Sequence, residues 1–111
     1  MKIEVQIQNQ IAILQLQGEF TVESLKSFEE ALSSARAAHP RGLLLDMSRV
    51  ILMDSAALEQ LLTLHEECRR QNQPLKLAGL DETCQKILEI TRLLPRLDTY
   101  ADLSEAMKSF V

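Results

Sequence analysis

The chain has 111 residues, the size of one domain. Its hydrophobic share of 46% and charged share of 25% are those of a soluble globular protein with a sizeable core. Three Phe, one Tyr and no Trp leave no platform for stacking bases, and a net charge of -4 leaves no basic surface for a phosphate backbone, so no nucleic acid is expected as a partner.

Cys68 and Cys84 lack CxxC spacing, and His39 and His65 lie far apart in sequence. No zinc site, thioredoxin-type chemistry or other cofactor is expected, and both cysteines fall on apolar helix faces as core residues. The opening "MKIEVQIQNQ" alternates and has no long apolar stretch, so no signal peptide is expected. No segment is long enough for membrane insertion, and a cytoplasmic location is the expectation.

In chain order, "KIEVQIQNQIAILQLQ" alternates on both sides of Asn9-Gln10 and predicts a β-hairpin. Ile3, Val5 and Ile7 share one face. So do Ile11, Ile13 and Leu16, with Leu14 out of step, and Gly18 ends the second strand. Val22, Leu25, Phe28, Leu32 and Ala35 recur every three or four residues, an amphipathic helix closed by Pro40 and Gly42. The run "LLLDM" predicts a strand covered on both faces, followed by a loop at Ser48-Arg49 and a short apolar bridge from Val50 to Met53.

Ala57, Leu58, Leu61, Leu62, Leu64 and Cys68 mark a second helix ending near Asn72, a residue that tolerates the left-handed conformation of a helix end. Leu75, Leu77 and Gly79 mark a further strand. Asp81 caps a third helix carrying Cys84, Ile87, Leu88 and Thr91, with Pro95 at its end. A brief strand from Leu97 to Tyr100 precedes a last helix, in which Asp102 and Glu105 form a capping-box-like pair and Leu103, Ala106, Met107 and Phe110 an apolar stripe. The order is ββαβαβαβα across residues 1–111. It implies a single α/β domain with a mixed, largely parallel sheet, an N-terminal hairpin and about four helices.

Ligands and partners of such sheets meet the carboxyl ends of the parallel strands. Those ends carry Gly18-Glu19, Asp46 to Arg49 and Gly79-Leu80, with Asp54-Ser55 opening the second helix nearby, so Asp46, Ser48, Asp54 and Ser55 are expected to gather on one edge. Each has an ordinary role as well. Asp54 is a good N-cap for the free amides of a first helical turn, and Asp46 is an anchor for the loop after its strand. Catalysis finds no support. "MDSAA" lacks the glycines of a nucleophile elbow and a nearby histidine, no Gly-rich phosphate loop exists, and the acids are not arranged for a metal.

The segment "GLLLDMSRVILMDSAALEQLLTLHEECRRQNQPLKLAGLDETCQKILEI" resembles a STAS domain, the fold of bacterial anti-sigma-factor antagonists. An apolar strand ends in Asp46-Met47-Ser48, a short bridge "VILM" follows, and Asp54-Ser55 opens a Leu-rich helix. The resemblance implies partner switching. The antagonist binds an anti-sigma factor that is also a serine kinase, phosphorylation at Ser55 dissolves the complex, and a phosphatase resets it. It implies partner contacts at Glu19, Asp46, Ser48, Asp54, Ser55 and Ala57.

Three features depart from the family pattern: Ala56-Ala57 where Ser or Thr and Gly are common, Glu19 as the one acid just after the early glycine, and no glycine around Arg92. Within the same family, the alternatives are a stressosome-like scaffold and a subunit gripping the ATPase of an ABC-type phospholipid transporter. Both bind a partner without phosphorylation.

Overall fold

The computed structural model describes residues 1–110. Five strands lie in one sheet in the order β1-β2-β3-β4-β5, with β1 (Lys2–Gln8), β2 (Ile11–Phe20), β3 (Gly42–Met53), β4 (Leu75–Ala78) and β5 (Asp98–Tyr100). The helices are α1 (Leu25–Arg36), α2 (Ser55–Arg70), α3 (Glu82–Ile90) and α4 (Leu103–Lys108). The expected α/β order is the one found. β1 runs antiparallel to β2, and the remaining pairs are parallel.

Asn9 and Gln10 both adopt positive φ, 52° and 65°, the two-residue turn whose twist matches that of a hairpin. Beyond it the chain adds strands in one direction without reversal. Crossovers of a single hand then deposit α1, α2 and α3 on the same face. Phe28, Leu32, Leu61, Leu64, Cys84 and Leu88 of those helices pack there on Ala12, Leu14, Leu16, Leu43, Leu45 and Met47. Among the described residues, the other face receives only α4, whose Ala106, with Phe110 just beyond the helix, packs on Ile11, Ile13, Leu44 and Ala78.

β2 is thus covered on both faces over its first half. Leu14 keeps step with Leu16 toward α1, while Ile11 and Ile13 face α4. The sequence reading assigned Leu16 to the wrong face because a doubly covered strand has no polar face to set its phase.

Helix ends follow local chemistry. Asp81 and Asp102 cap α3 and α4 by accepting the Cys84 and Glu105 amides, at 2.7 and 2.9 Å. α2 closes at Asn72, with φ of 53°, where the Gln73 amide reaches back to the Cys68 carbonyl and the Asn72 amide to that of Arg69. α3 closes the same way at Arg92, with φ of 63°. An ion pair of 2.9 Å between Arg36 and Glu67 ties α1 to α2.

Candidate functional site

β3 differs most from expectation, and the difference shapes the site. The predicted loop at Ser48-Arg49 does not form: the strand continues unbroken to Met53. It does so by bulging twice against β2. Between Gln15↔Asp46 and Phe20↔Met53, β2 advances five residues while β3 advances seven. Each extra residue disturbs the two-residue alternation, so Met47, Val50 and Met53 are buried while Ser48-Arg49 and Ile51-Leu52 turn outward as pairs. Ile51 is 66% and Leu52 44% exposed. The apolar bridge of the sequence reading is therefore half core and half surface.

The bulge at Ser48 is seated against Gly79. A methyl group on that glycine would stand 2.8 Å from Ser48 Cβ, and its φ of 75° suits glycine. β4 thereby admits the bulged strand at close range.

At the end of β3 the Asp54 carboxylate holds two segments together. Oδ1 accepts the Ala57 amide at 2.9 Å and caps α2, while Oδ2 accepts the Val22 amide at 3.0 Å. Val22–Ser24 is a 3₁₀ turn, not the first turn of the helix expected there. The buried Ser24 hydroxyl fixes that turn by accepting from the Thr21 amide and donating to the Thr21 carbonyl, both at 2.9 Å. Val22 consequently leaves the apolar stripe of α1 and is 62% exposed. The Ala57 amide first, and the Val22 amide next, hold the Asp54 carboxyl below its ordinary value of 3.8, so it is ionised at neutral pH.

Ser55 is the first helical residue and is exposed. Because Asp54 does the capping, the Ser55 hydroxyl is not required for it. Val22 is held to Asp54 through its amide, the exposed Ile51 and Leu52 precede Asp54-Ser55 along β3, and Glu19 pairs with Leu52 in the sheet. This is a small apolar rim with a hydroxyl and an ionised carboxylate beside it. Sequence reasoning missed all three rim residues, because Val22 fitted a helical stripe and Ile51-Leu52 a short apolar bridge.

The four residues expected on one edge divide, as do the six that the resemblance implies as partner contacts. Asp54 and Ser55 are adjacent, with Glu19 on the neighbouring strand opposite Leu52, two residues before Asp54. Asp46 and Ser48 lie back along β3, the Asp46 carboxylate accepting the Ser48 amide at 3.1 Å. They line a separate cleft of about 310 Å³ with Lys2, Glu4, Gln15 and Arg49. The five residue steps along β2 from Gln15 to Phe20 place Asp46 roughly 17 Å from the strand end, at about 3.3 Å per residue. That exceeds a screening length of about 8 Å, so Asp46 contributes little to the field at Ser55.

The strand order never reverses, so the sheet has no switch point to open a crevice at those strand ends. Ala57 is fully buried, so its methyl is out of a partner's reach and its contribution is the amide given to Asp54.

The profile of the STAS domain matches residues 2–106. The chain belongs to the STAS domain family. Among solved structures, an anti-sigma factor antagonist from Mycobacterium paratuberculosis superposes with a TM-score of 0.87 at 18% identity, over 97% of this chain and 92% of that one. The phosphorylated form of the Bacillus cell fate determinant SpoIIAA gives 0.75 at 17% identity, over 99% and 100%. A sulfate transporter family protein from Wolinella succinogenes gives 0.79 at 18% identity, over 94% and 87%. Identities this low establish the STAS fold, and the fold alone is shared by regulators and transporter proteins.

Among the described residues of this STAS domain, no three His, Cys, Asp or Glu are grouped to hold a metal ion, and no helix is long and apolar enough to cross a membrane. Both cysteines are free and buried. Burial, followed by the neighbouring Asp81, pushes the Cys84 thiol up to about 12, which leaves it unreactive.

Proposed function

We propose that this STAS domain is a cytoplasmic, non-catalytic anti-sigma-factor antagonist, that it docks on a serine kinase-type anti-sigma factor, and that phosphorylation of Ser55 releases it. The observation that carries the reading is the division of labour at the start of α2. Asp54 satisfies the helix end while Ser55, next to it, is exposed, and the exposed Val22, Ile51 and Leu52 lie at the same end of the sheet.

In the transfer step the Ser55 oxygen forms a bond to the γ-phosphorus of ATP, the bond to the β-phosphate oxygen breaks, and the hydroxyl proton passes to a base of the kinase, leaving ADP. A phosphoserine adds about -1.5 to -2 charges. The domain accommodates that charge, because the first-turn amides of a helix favour an anion. The interface does not: a partner pressed on the apolar rim would have to strip water from the phosphate beside an already ionised Asp54. Hydrolysis of the phosphoserine by a phosphatase restores the docking edge.

Capture from the native host with wild type, Ser55→Ala and Ser55→Glu as baits tests this. The expected result is a kinase-like protein retained by wild type and Ser55→Ala and lost by Ser55→Glu. A transporter ATPase retained equally by all three would instead assign the same rim to permanent docking. A static scaffold would likewise hold its partner through all three baits.

A further inference from the structure

β1 is an edge strand of a kind that soluble proteins rarely leave bare. It has seven residues in unbroken register with β2, no bulge and no proline. The opposite edge, β5, is protected by its length of three residues. A two-residue hairpin turn makes Gln8 and Ile11 the closing hydrogen-bonded pair, so Gln8, Gln6, Glu4 and Lys2 bond to β2. The N–H and C=O groups of Ile3, Val5 and Ile7 therefore point away from the sheet.

We infer that β1 pairs antiparallel with β1 of a second copy about a twofold axis through Val5, joining two domains into one ten-stranded sheet. Only this register satisfies all three outward residues: Val5 exchanges both bonds with its own counterpart, and Ile3 exchanges both with Ile7 on each side of the axis. A register centred on Glu4 would set two like charges directly opposite each other, and one centred on Gln6 would send Ile3 beyond the end of the strand.

The Val5 register also suits the side chains. On the α1 face it sets Ile3 against Ile7 and Val5 against Val5, covering Ile7, which is 45% exposed in one copy. A groove of about 380 Å³ lies there over Ile3 and Val5, walled by Ser27, Glu30, Ala31 and Ser34 of α1, and the axis joins it to its counterpart. On the other face Lys2 opposes Gln8 and Glu4 opposes Gln6. The two Glu4 side chains, on the diagonal, are each already paired with their own Lys2 at 3.4 Å. The Asp54-Ser55 edge follows β3, two strands away, so each copy keeps its own, and the assembly presents two. The inference does not depend on what docks at Ser55.

Sedimentation of the full chain from micromolar to millimolar concentration is the test, with Ile7→Lys as the opposing variant. Ile7 is exposed enough for the variant to fold, and circular dichroism verifies that it does. Wild type is expected to reach a dimer, and Ile7→Lys to weaken association at least about tenfold by placing a buried cation opposite Ile3. Val5→Cys reads the register: paired β Cα atoms at about 5.5 Å are within disulfide range, so oxidation is expected to cross-link Val5→Cys but not Ile3→Cys. A wild type monomeric throughout that range, a dimer indifferent to Ile7→Lys, or equal cross-linking of both cysteine variants would overturn the proposal.

Discussion

The carboxylate of Asp54 and the amide of Val22, separated by 32 residues in sequence, are joined at 3.0 Å, and through this bond the helix cap of α2 also anchors the 3₁₀ turn before α1. The second acceptor oxygen is what Asn lacks. In Asp54→Asn the amide oxygen can keep the Ala57 cap, but its NH₂ then faces the Val22 N–H, donor against donor. The expected outcome is a drop in Tm of a few degrees, with faster hydrogen exchange at Val22 while the α2 amides stay protected. Equal loosening at both places would show that the bond to Val22 has no separate role.

The same carboxyl gives a pH dependence of definite sign. Its folded value is depressed below the ordinary 3.8, so the stabilisation is fully present above that value and is lost as pH falls through the lower, folded one. Wild type is expected to lose stability below about pH 4, more steeply than Asp54→Asn, in denaturant titrations across the acid range. Parallel slopes for the two proteins would refute the assignment.

Gly79 and Ser48 offer a test of the bulge. In Gly79→Ala the new methyl meets both Cβ and backbone of Ser48, and the positive φ is strained independently. A loss of roughly 2–4 kcal/mol is expected by urea unfolding. Combining it with Ser48→Gly removes the side-chain clash but not the φ strain, so rescue should be partial. Full rescue would mean that the backbone conformation at 79 carries no cost.

What the sequence made legible is what repeats. The hairpin turn at Asn9-Gln10, the caps at Asp54, Asp81 and Asp102, the helix end at Asn72 and the element order all follow from local chemistry, and they are found where expected. Periodicity failed where a bulge changes it. "RVILM" has no two-residue alternation, so it reads as loop and buried bridge. In the strand it obeys a three-residue spacing that only pairing with β2 creates. The same two extra residues separate Asp46 from Asp54 along a continuous strand, where a loop would have brought them together. The Asp-Ser pair was legible because both its properties, capping and exposure at a helix start, are local.

Arg92 stands in left-handed conformation at the end of α3, with φ of 63°, where a residue with a Cβ is strained. Its side chain is exposed, and no hydrogen bond in the helix end depends on it: the Arg92 and Leu93 amides that close the turn remain in any variant. Arg92→Gly is expected to stabilise the domain by about 0.5–1 kcal/mol, the relief of strain exceeding the added freedom of the unfolded chain. Urea midpoints of the two proteins measure it, and a destabilised glycine variant would show that the arginine contributes packing of its own.

Ile51 and Leu52 decide whether the apolar rim is a docking surface. Both side chains face outward from the bulged end of β3, so replacing them by threonine preserves strand propensity and removes little from the core. Ile51→Thr/Leu52→Thr is expected to change folding stability by less than about 1 kcal/mol, whereas Met53→Thr, one residue further and 4% exposed, should cost about 3 kcal/mol. Partner capture should fall at least about tenfold in the double variant even with Ser55 intact, because apolar anchors at the centre of an interface contribute most of its affinity. If the double variant captures the partner of Ser55→Ala as well as wild type does, the rim is bystander surface, and recognition must rest on the Asp54-Ser55 helix start alone.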